Sequence, residues 1–101
     1  MAQRSYFVID RVETGNRIYT HRKRMHLSQM GLAYVLSAEG IEVSITSIGK
    51  WERGVVDISF DYAKALAKVF GCQLYGELVV FHLREIDDER DQPAHLITVL
   101  F

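Results

Sequence analysis

Three serines, Ser28, Ser44 and Ser59, each stand immediately before a short segment whose apolar residues recur at helical spacing. This recurrence constrains the fold more than any other feature, because a serine side chain can accept a hydrogen bond from the free N–H groups of a helix's first turn. Gly54 and Gly71 follow the second and third segments, where a left-handed glycine commonly ends a helix. The pattern predicts a series of short helices and hence a mainly α fold.

The flanking segments are less regular. Thr14 is the expected N-cap of a first helix over residues 14 to 25, which ends in the cationic run HRKR. Residues 74 to 83 have the composition of a strand, but the preceding helices favour a fifth helix there. The opening SYFVIDRV fits either a short strand or an arm, and HLITVLF at the end predicts a strand. We therefore expect a mainly α, five-helix domain with short β segments at its termini.

Length and composition indicate one compact domain over residues 1–101. The chain is 49% hydrophobic with a single Pro, and no apolar run approaches the roughly 20 residues that span a bilayer. The first residues lack the apolar stretch of a secretory signal, and the single Cys72 cannot form an internal disulfide. We expect a cytoplasmic protein with no membrane contact.

The net charge of −1 conceals an uneven distribution. Residues 1–54 carry eight Lys and Arg against five Asp and Glu, a net +3, whereas residues 55–101 carry four against eight, a net −4. The first half can therefore present a cationic face to a polyanion.

Enzymatic and metal chemistry have no support in the pattern. No nucleophile stands near a base, and no glycine-rich phosphate loop is present. His21 and His26 are five residues apart and His82 and His95 are isolated, so the histidines do not show a familiar ligand spacing. We expect no enzyme activity, no cofactor and no metal site.

The segment VSITSIGKWERG carries the strongest functional signal. As a helix capped at Ser44, its spacing of about 100° per residue places Ile48 and Trp51 on one side. The opposite side holds small, polar and cationic residues: Thr46, Gly49, Lys50 and Arg53. Such a face has little apolar area to bury, and its short side chains allow another surface to approach closely.

Two short helices joined by a turn, the second with a polar outer face, form a helix-turn-helix. The stretches NRIYTHRKRMHLSQMGLAYVL, VSITSIGKWERG and YAKALAKVFG resemble the xenobiotic-response-element and phage-repressor type of helix-turn-helix domain, over about residues 15–78. The resemblance implies a lambda-repressor-like helix-turn-helix core at residues 13–78. Residues 79–101 would then form a C-terminal extension for dimerisation or partner contact.

The resemblance also implies roles for individual residues. Three positions would face base edges in the major groove: Ile45, Thr46 and Lys50. Five would contact or lie near phosphates: Ser28, Gln29, Ser44, Ser47 and Arg53. Arg22 would form a structural ion pair with Glu52 rather than bind phosphate.

Some of these assignments leave alternatives open. Ile45 could meet a thymine methyl or only pack at the edge of the helix's inner face. Lys23 and Arg24 could contact phosphate or belong to a solvated helix end.

Two features depart from the family's usual pattern. The turn SAEGIEV is expanded and carries Glu39 and Glu42, which should avoid phosphates. The loop after Gly54, which is commonly basic in phage repressors, begins here with Val55 and Val56.

The function expected from these observations is sequence-specific DNA binding by a transcriptional regulator. It would act as a repressor, reading the major groove of a double-stranded operator with helix 44–53. Two half-sites would require a homodimer. The alternative is an antitoxin-like protein-interaction module that holds a protein partner through its C-terminal segment and autoregulates its operon.

Overall fold

The computed structural model describes residues 4–86, which form four helices and a two-stranded sheet. The elements in chain order are β1 (Arg4–Ile9), α1 (Arg11–Arg24), α2 (Gln29–Ala38), α3 (Ile45–Glu52), α4 (Phe60–Phe70) and β2 (Phe81–Ile86). None of these helices is long and apolar enough to cross a membrane.

The first helix begins earlier than the sequence predicted. Its N-cap is Asp10, whose carboxylate accepts the Glu13 N–H at 2.9 Å, so the assignment of the cap to Thr14 was wrong. Thr14 lies inside α1, is buried, and its hydroxyl accepts the Val80 N–H at 3.1 Å. The short loop after β1 makes Asp10 the first residue able to cap the helix, and Thr14 instead joins α1 to the chain entering β2.

The other three helices begin where their serines predicted. Ser28, Ser44 and Ser59 have extended backbones, and each hydroxyl accepts the N–H three residues later, at 2.9, 3.0 and 3.4 Å respectively. Gly54 and Gly71 adopt left-handed conformations, with φ of 71° and 67°, directly after the last turns of α3 and α4. Local capping chemistry thus determines these boundaries.

The expected fifth helix is absent from the described residues. The chain between α4 and β2 forms turns in which the Gly76 N–H donates to Val79 O and the Val79 N–H donates to Leu74 O, at 3.0 and 2.8 Å. Gly76 has a φ of 87°, which a right-handed helix cannot accommodate. The segment with strand-like composition therefore becomes a turn followed by β2.

The two strands join distant parts of the chain. They pair antiparallel, with Ile9 opposite Phe81 and Arg4 opposite Ile86, so the opening segment is a strand rather than an arm. The strand expected for HLITVLF lies outside the described residues.

The helices enclose one apolar core. Its fully buried side chains come from every helix and from the turn before β2: Ile18, Leu32, Leu36, Ile48, Leu66 and Leu78. Val79 also packs into this cluster, so the beginning of the segment 79–101 contributes to the domain core.

Gly15 allows α1 to cross the C-terminal end of α3 at very short distance. A Cβ at this position would overlap the carbonyl oxygen of Trp51 and lie 2.8 Å from that of Glu52. This close approach fixes where α3 ends relative to α1.

Candidate functional site

The turn between α2 and α3 is long but tied to the rest of the domain. The Ile41 N–H donates to Leu36 O at 2.9 Å, and the Ser37 hydroxyl donates to the Glu42 carboxylate at 2.9 Å. Glu39 forms an ion pair with Lys68 of α4 at 3.1 Å. Both acids of the expanded turn are therefore engaged by groups of the protein.

The helix α3 has one anchored side and one exposed side. Ile48 is fully buried and Trp51 is 5% exposed, whereas the side chains of Thr46 and Lys50 are exposed. Trp51 packs against Tyr62 of α4, with ring centroids 5.1 Å apart. The core contacts thus determine which side of α3 remains open to a partner.

Gly49 differs from the expectation that it belongs to the open face. It is buried, and two polar side chains lie close to the position that a Cβ would occupy. A Cβ at Gly49 would lie 3.0 Å from a terminal nitrogen of Arg53 and 3.7 Å from the amide group of Gln29. The glycine thereby gives these two polar side chains room to lie against α3.

The Arg22–Glu52 ion pair connects α1 to the end of α3. Arg22 Nε lies 2.6 Å from Glu52 Oε2 and a terminal nitrogen lies 2.9 Å from Oε1, while the side chains are only 8% and 6% exposed. The hydrogen bond to Glu52 raises the pKa of Arg22 above its ordinary value, against the opposing effect of burial. Arg22 also donates to Leu27 O at 2.8 Å, so this guanidinium is engaged within the protein.

Gln29 extends this network to α2. Its amide nitrogen donates to Glu52 Oε1 at 3.1 Å, so the first residue of α2 braces the last residue of α3. Arg22, Glu52 and Gln29 together hold three helices in register. The Gln29 side chain is half-buried, which leaves part of it accessible.

The three serines of the candidate site lie at the starts of α2 and α3. Ser28 and Ser44 are exposed and use their hydroxyl oxygens to cap their helices. The Ser44 hydroxyl also donates to the Ser47 hydroxyl at 3.0 Å. The N-termini of α2 and α3, each with a partial positive charge, both lie in the helix-turn-helix.

The charges on this side of the domain favour a polyanion. Within residues 4–86, Lys23, Lys50 and Arg53 form no ion pair, and all three are exposed. The nearby acids are engaged: Glu52 pairs with Arg22, and Asp57 of the loop after α3 pairs with Arg11 at 3.4 Å. The uncompensated charge of the site is therefore positive.

An open groove of about 690 Å³ lies where the end of α1 meets the starts of α2 and α3. We refer to it as the three-helix groove. The residues that line it are Arg22, Lys23, His26, Leu27, Ser28, Gln29, Met30 and Ile45. It contains three of the residues predicted to contact DNA, namely Ser28, Gln29 and Ile45.

Sequence reasoning did not single out Met30 or assign His26 a role at a binding surface. Met30 could have been noticed from helical projection, since it lies about 200° from Leu32 around α2 and so opposite the apolar face. His26 has a positive φ of 57°, which no pattern in the sequence indicates.

Comparison with known families agrees with this geometry. A family model described as helix-turn-helix matches residues 18–76, more than half of the 101-residue chain. No curated protein and no solved structure matches the chain. The matched region contains the exposed side of α3, the ion pair that orients it and the turn that joins it to α2. The chain belongs to the helix-turn-helix family of the xenobiotic-response-element and phage-repressor type, a family of DNA-binding regulators of transcription.

Proposed function

We propose that the protein is a sequence-specific repressor that inserts α3 into the major groove of an operator. The observation that carries this proposal is the orientation of α3: Ile48 and Trp51 anchor it, while Thr46 and Lys50 point outward. A lysine can donate to guanine O6 and N7, and a threonine offers a hydroxyl and a methyl group to base edges. Ile45, at the first turn of α3, supplies an apolar contact beside them.

Phosphate contacts position this helix. Arg53 and Gln29 both have polar atoms close to Gly49, the residue that precedes Lys50. The hydroxyls of Ser28, Ser44 and Ser47 lie at helix N-termini, where N–H groups favour an anion. These groups would fix the register of the protein on the duplex without reading sequence.

Repression follows from occupancy. A protein that holds an operator excludes other proteins from the same segment of DNA, and this requires only DNA binding of sufficient affinity. The small number of uncompensated cations at the site predicts modest affinity for non-specific DNA, because neutralised phosphates dominate such binding.

The test is a binding series with Lys50→Ala, Arg53→Ala and, as a matched control, Lys64→Ala on α4. A duplex selected from a random-sequence library and its scrambled counterpart are titrated at several salt concentrations. We expect Lys50→Ala to lose roughly 1 to 3 kcal/mol of discrimination at one base pair. Arg53→Ala should weaken both duplexes alike and reduce the slope of log K against log salt by about one unit.

Lys64 is an exposed cation on α4 rather than α3, and its ammonium lies 5.1 Å from the Phe60 ring centroid of the same helix. Because Lys64 is not among the residues proposed to contact DNA, its removal should leave binding unchanged. If Lys50→Ala bound both duplexes with the specificity ratio of the parent, α3 would not read DNA through Lys50.

We further propose a homodimer that contacts through residues 79–101. A two-stranded sheet is only marginally stable without further partners, and the side chain of Leu83 on β2 is 57% exposed. Two copies would present two α3 helices to half-sites about 34 Å apart.

Sedimentation of the full chain tests the dimer, with Leu83→Glu as the disrupting variant. We expect the parent to sediment as a dimer and the variant to dissociate at the same concentration. A parent that sediments as a monomer would contradict the dimer and favour the antitoxin-like alternative, in which residues 79–101 contact a different protein.

A further inference from the structure

Two apolar side chains in the three-helix groove are not used by the core. Met30 is 67% exposed and Ile45 is 41% exposed, and both line the groove. Neither belongs to the buried cluster of the domain. Part of the apolar surface of each side chain therefore remains in contact with water in the free protein, and a partner that buried it would gain binding free energy.

Their position distinguishes them from isolated apolar residues on a surface, which are common. Met30 follows Gln29 on α2, and Ile45 is the first residue of α3. The two therefore belong to different helices and share one groove. Helical projection places Met30 on the side of α2 away from Leu32, so packing of α2 does not require a large apolar residue there.

The rest of the groove identifies the partner's charge. Its lining contains Lys23 and Arg22 and no Asp or Glu. Lys23 is exposed and forms no ion pair in the described part of the chain, whereas Arg22 is neutralised by Glu52. A groove lined by an unpaired cation and by apolar side chains fits a ligand that carries both an anionic group and an apolar group.

Duplex DNA meets both requirements in the major groove. Its phosphates are anionic, and the C5 methyl of thymine is the apolar group that its base edges display there. We infer that Met30 and Ile45 together enclose a thymine methyl group, so that Met30 of α2 determines specificity alongside the residues of α3. This inference rests on the proposed function and adds to it a preference for thymine at one base pair.

Thymine and uracil differ only by this methyl group, which provides the probe. Removing one methyl from an apolar contact changes the binding free energy by the transfer free energy of about one CH₂, which corresponds to roughly fourfold in affinity. Uracil preserves all hydrogen-bonding groups of the base, so a contact made only through hydrogen bonds would have the same affinity for both duplexes.

The experiment uses the full chain and a duplex selected by it from a random-sequence library. Each thymine is replaced singly by deoxyuridine. The measured ratio is the affinity for the thymine duplex divided by the affinity for the deoxyuridine duplex, and it is determined for the parent, Met30→Ala, Met30→Leu and Ile45→Ala. Val12→Ala is the matched control, since Val12 is 61% exposed on α1 and does not line the groove. Far-ultraviolet circular dichroism of each variant verifies that the helices are intact.

We expect the parent to bind the deoxyuridine duplex about fourfold more weakly at one or two positions. At the same positions Met30→Ala and Ile45→Ala should lower the ratio toward one, while Met30→Leu and Val12→Ala should preserve it.

A parent ratio of one at every thymine would overturn the inference while leaving the proposed function intact, because the selected duplex would still bind. An unchanged ratio in Met30→Ala would overturn the role of Met30. A chain that selects no duplex at all would overturn the proposed function and the inference with it.

Discussion

Replacing Gly15 and Gly49 by alanine should change stability in opposite directions, although both residues lie inside helices. Alanine is favoured over glycine in a helix interior by about 0.5 to 1 kcal/mol, because glycine loses more backbone entropy on folding. This gain applies equally to α1 and α3. The surroundings of the new methyl group therefore determine whether the substitution stabilises or destabilises the protein.

At Gly49 the nearest atom belongs to a mobile side chain. The new Cβ would lie 3.0 Å from a terminal nitrogen of Arg53 and 3.7 Å from Gln29, so a shift of a few tenths of an ångström in Arg53 relieves the contact. We expect Gly49→Ala to stabilise the protein by about 0.5 to 1 kcal/mol, which raises Tm by roughly 3 to 6 °C in a domain of this size.

At Gly15 the obstacle is backbone. The new Cβ would overlap Trp51 O and lie 2.8 Å from Glu52 O, and α3 cannot move without disturbing Trp51 in the core. Overpacking of this kind costs about 1 to 3 kcal/mol, which exceeds the gain in helix propensity. We expect Gly15→Ala to destabilise the protein by roughly 1 to 2 kcal/mol.

Urea unfolding monitored by circular dichroism measures both changes, and the fluorescence of Trp51, the only tryptophan, provides a second signal from the core. Gly49→Ala in an Arg53→Ala background is the control, since it isolates the energy needed to displace Arg53. Equal stabilisation by both substitutions would refute the close packing of α1 on α3.

Three other changes test the contacts that hold the helices. Arg22→Met and Glu52→Gln should each cost about 3 to 5 kcal/mol, and the double variant less than their sum; additive losses in the double-mutant cycle would mean that the two residues do not interact. The Glu13 N–H and then the His82 ring hold the pKa of Asp10 below its ordinary value. The ionised Asp10 therefore stabilises the fold above about pH 4, and this stabilisation is lost as the pH falls through the folded-state pKa. The difference in unfolding free energy between the parent and Asp10→Asn should shrink in acid. A difference that does not change with pH would contradict the stabilising role of the Asp10 carboxylate. Ser44→Ala should cost about 1 kcal/mol through loss of the α3 cap and Ser44→Asn much less, as thermal unfolding would show.

Features that depend only on neighbouring residues could be predicted from the sequence. Ser28, Ser44 and Ser59 begin helices because a hydroxyl reaches a backbone N–H only three residues away. Gly71 ends α4 because it tolerates a left-handed backbone. The resemblance to the helix-turn-helix family was likewise visible in contiguous stretches such as VSITSIGKWERG.

Features that join distant segments depend on how the whole chain packs. The chain after α4 turns and forms β2 because its partner, β1, lies about 75 residues earlier, and no local preference encodes that pairing. The first helix is capped by Asp10 for the same reason, since β1 ends at Ile9 where it meets Phe81.

The candidate site shows the same division. Spacing alone placed Ile48 and Trp51 inward and Lys50 outward, because a helix repeats every 3.6 residues. Other features of the site depend on how separate helices meet. These are the position of the Gln29 and Arg53 side chains against Gly49 and the groove that Met30 shares with Ile45. Those contacts result from packing in three dimensions, which a one-dimensional pattern does not specify.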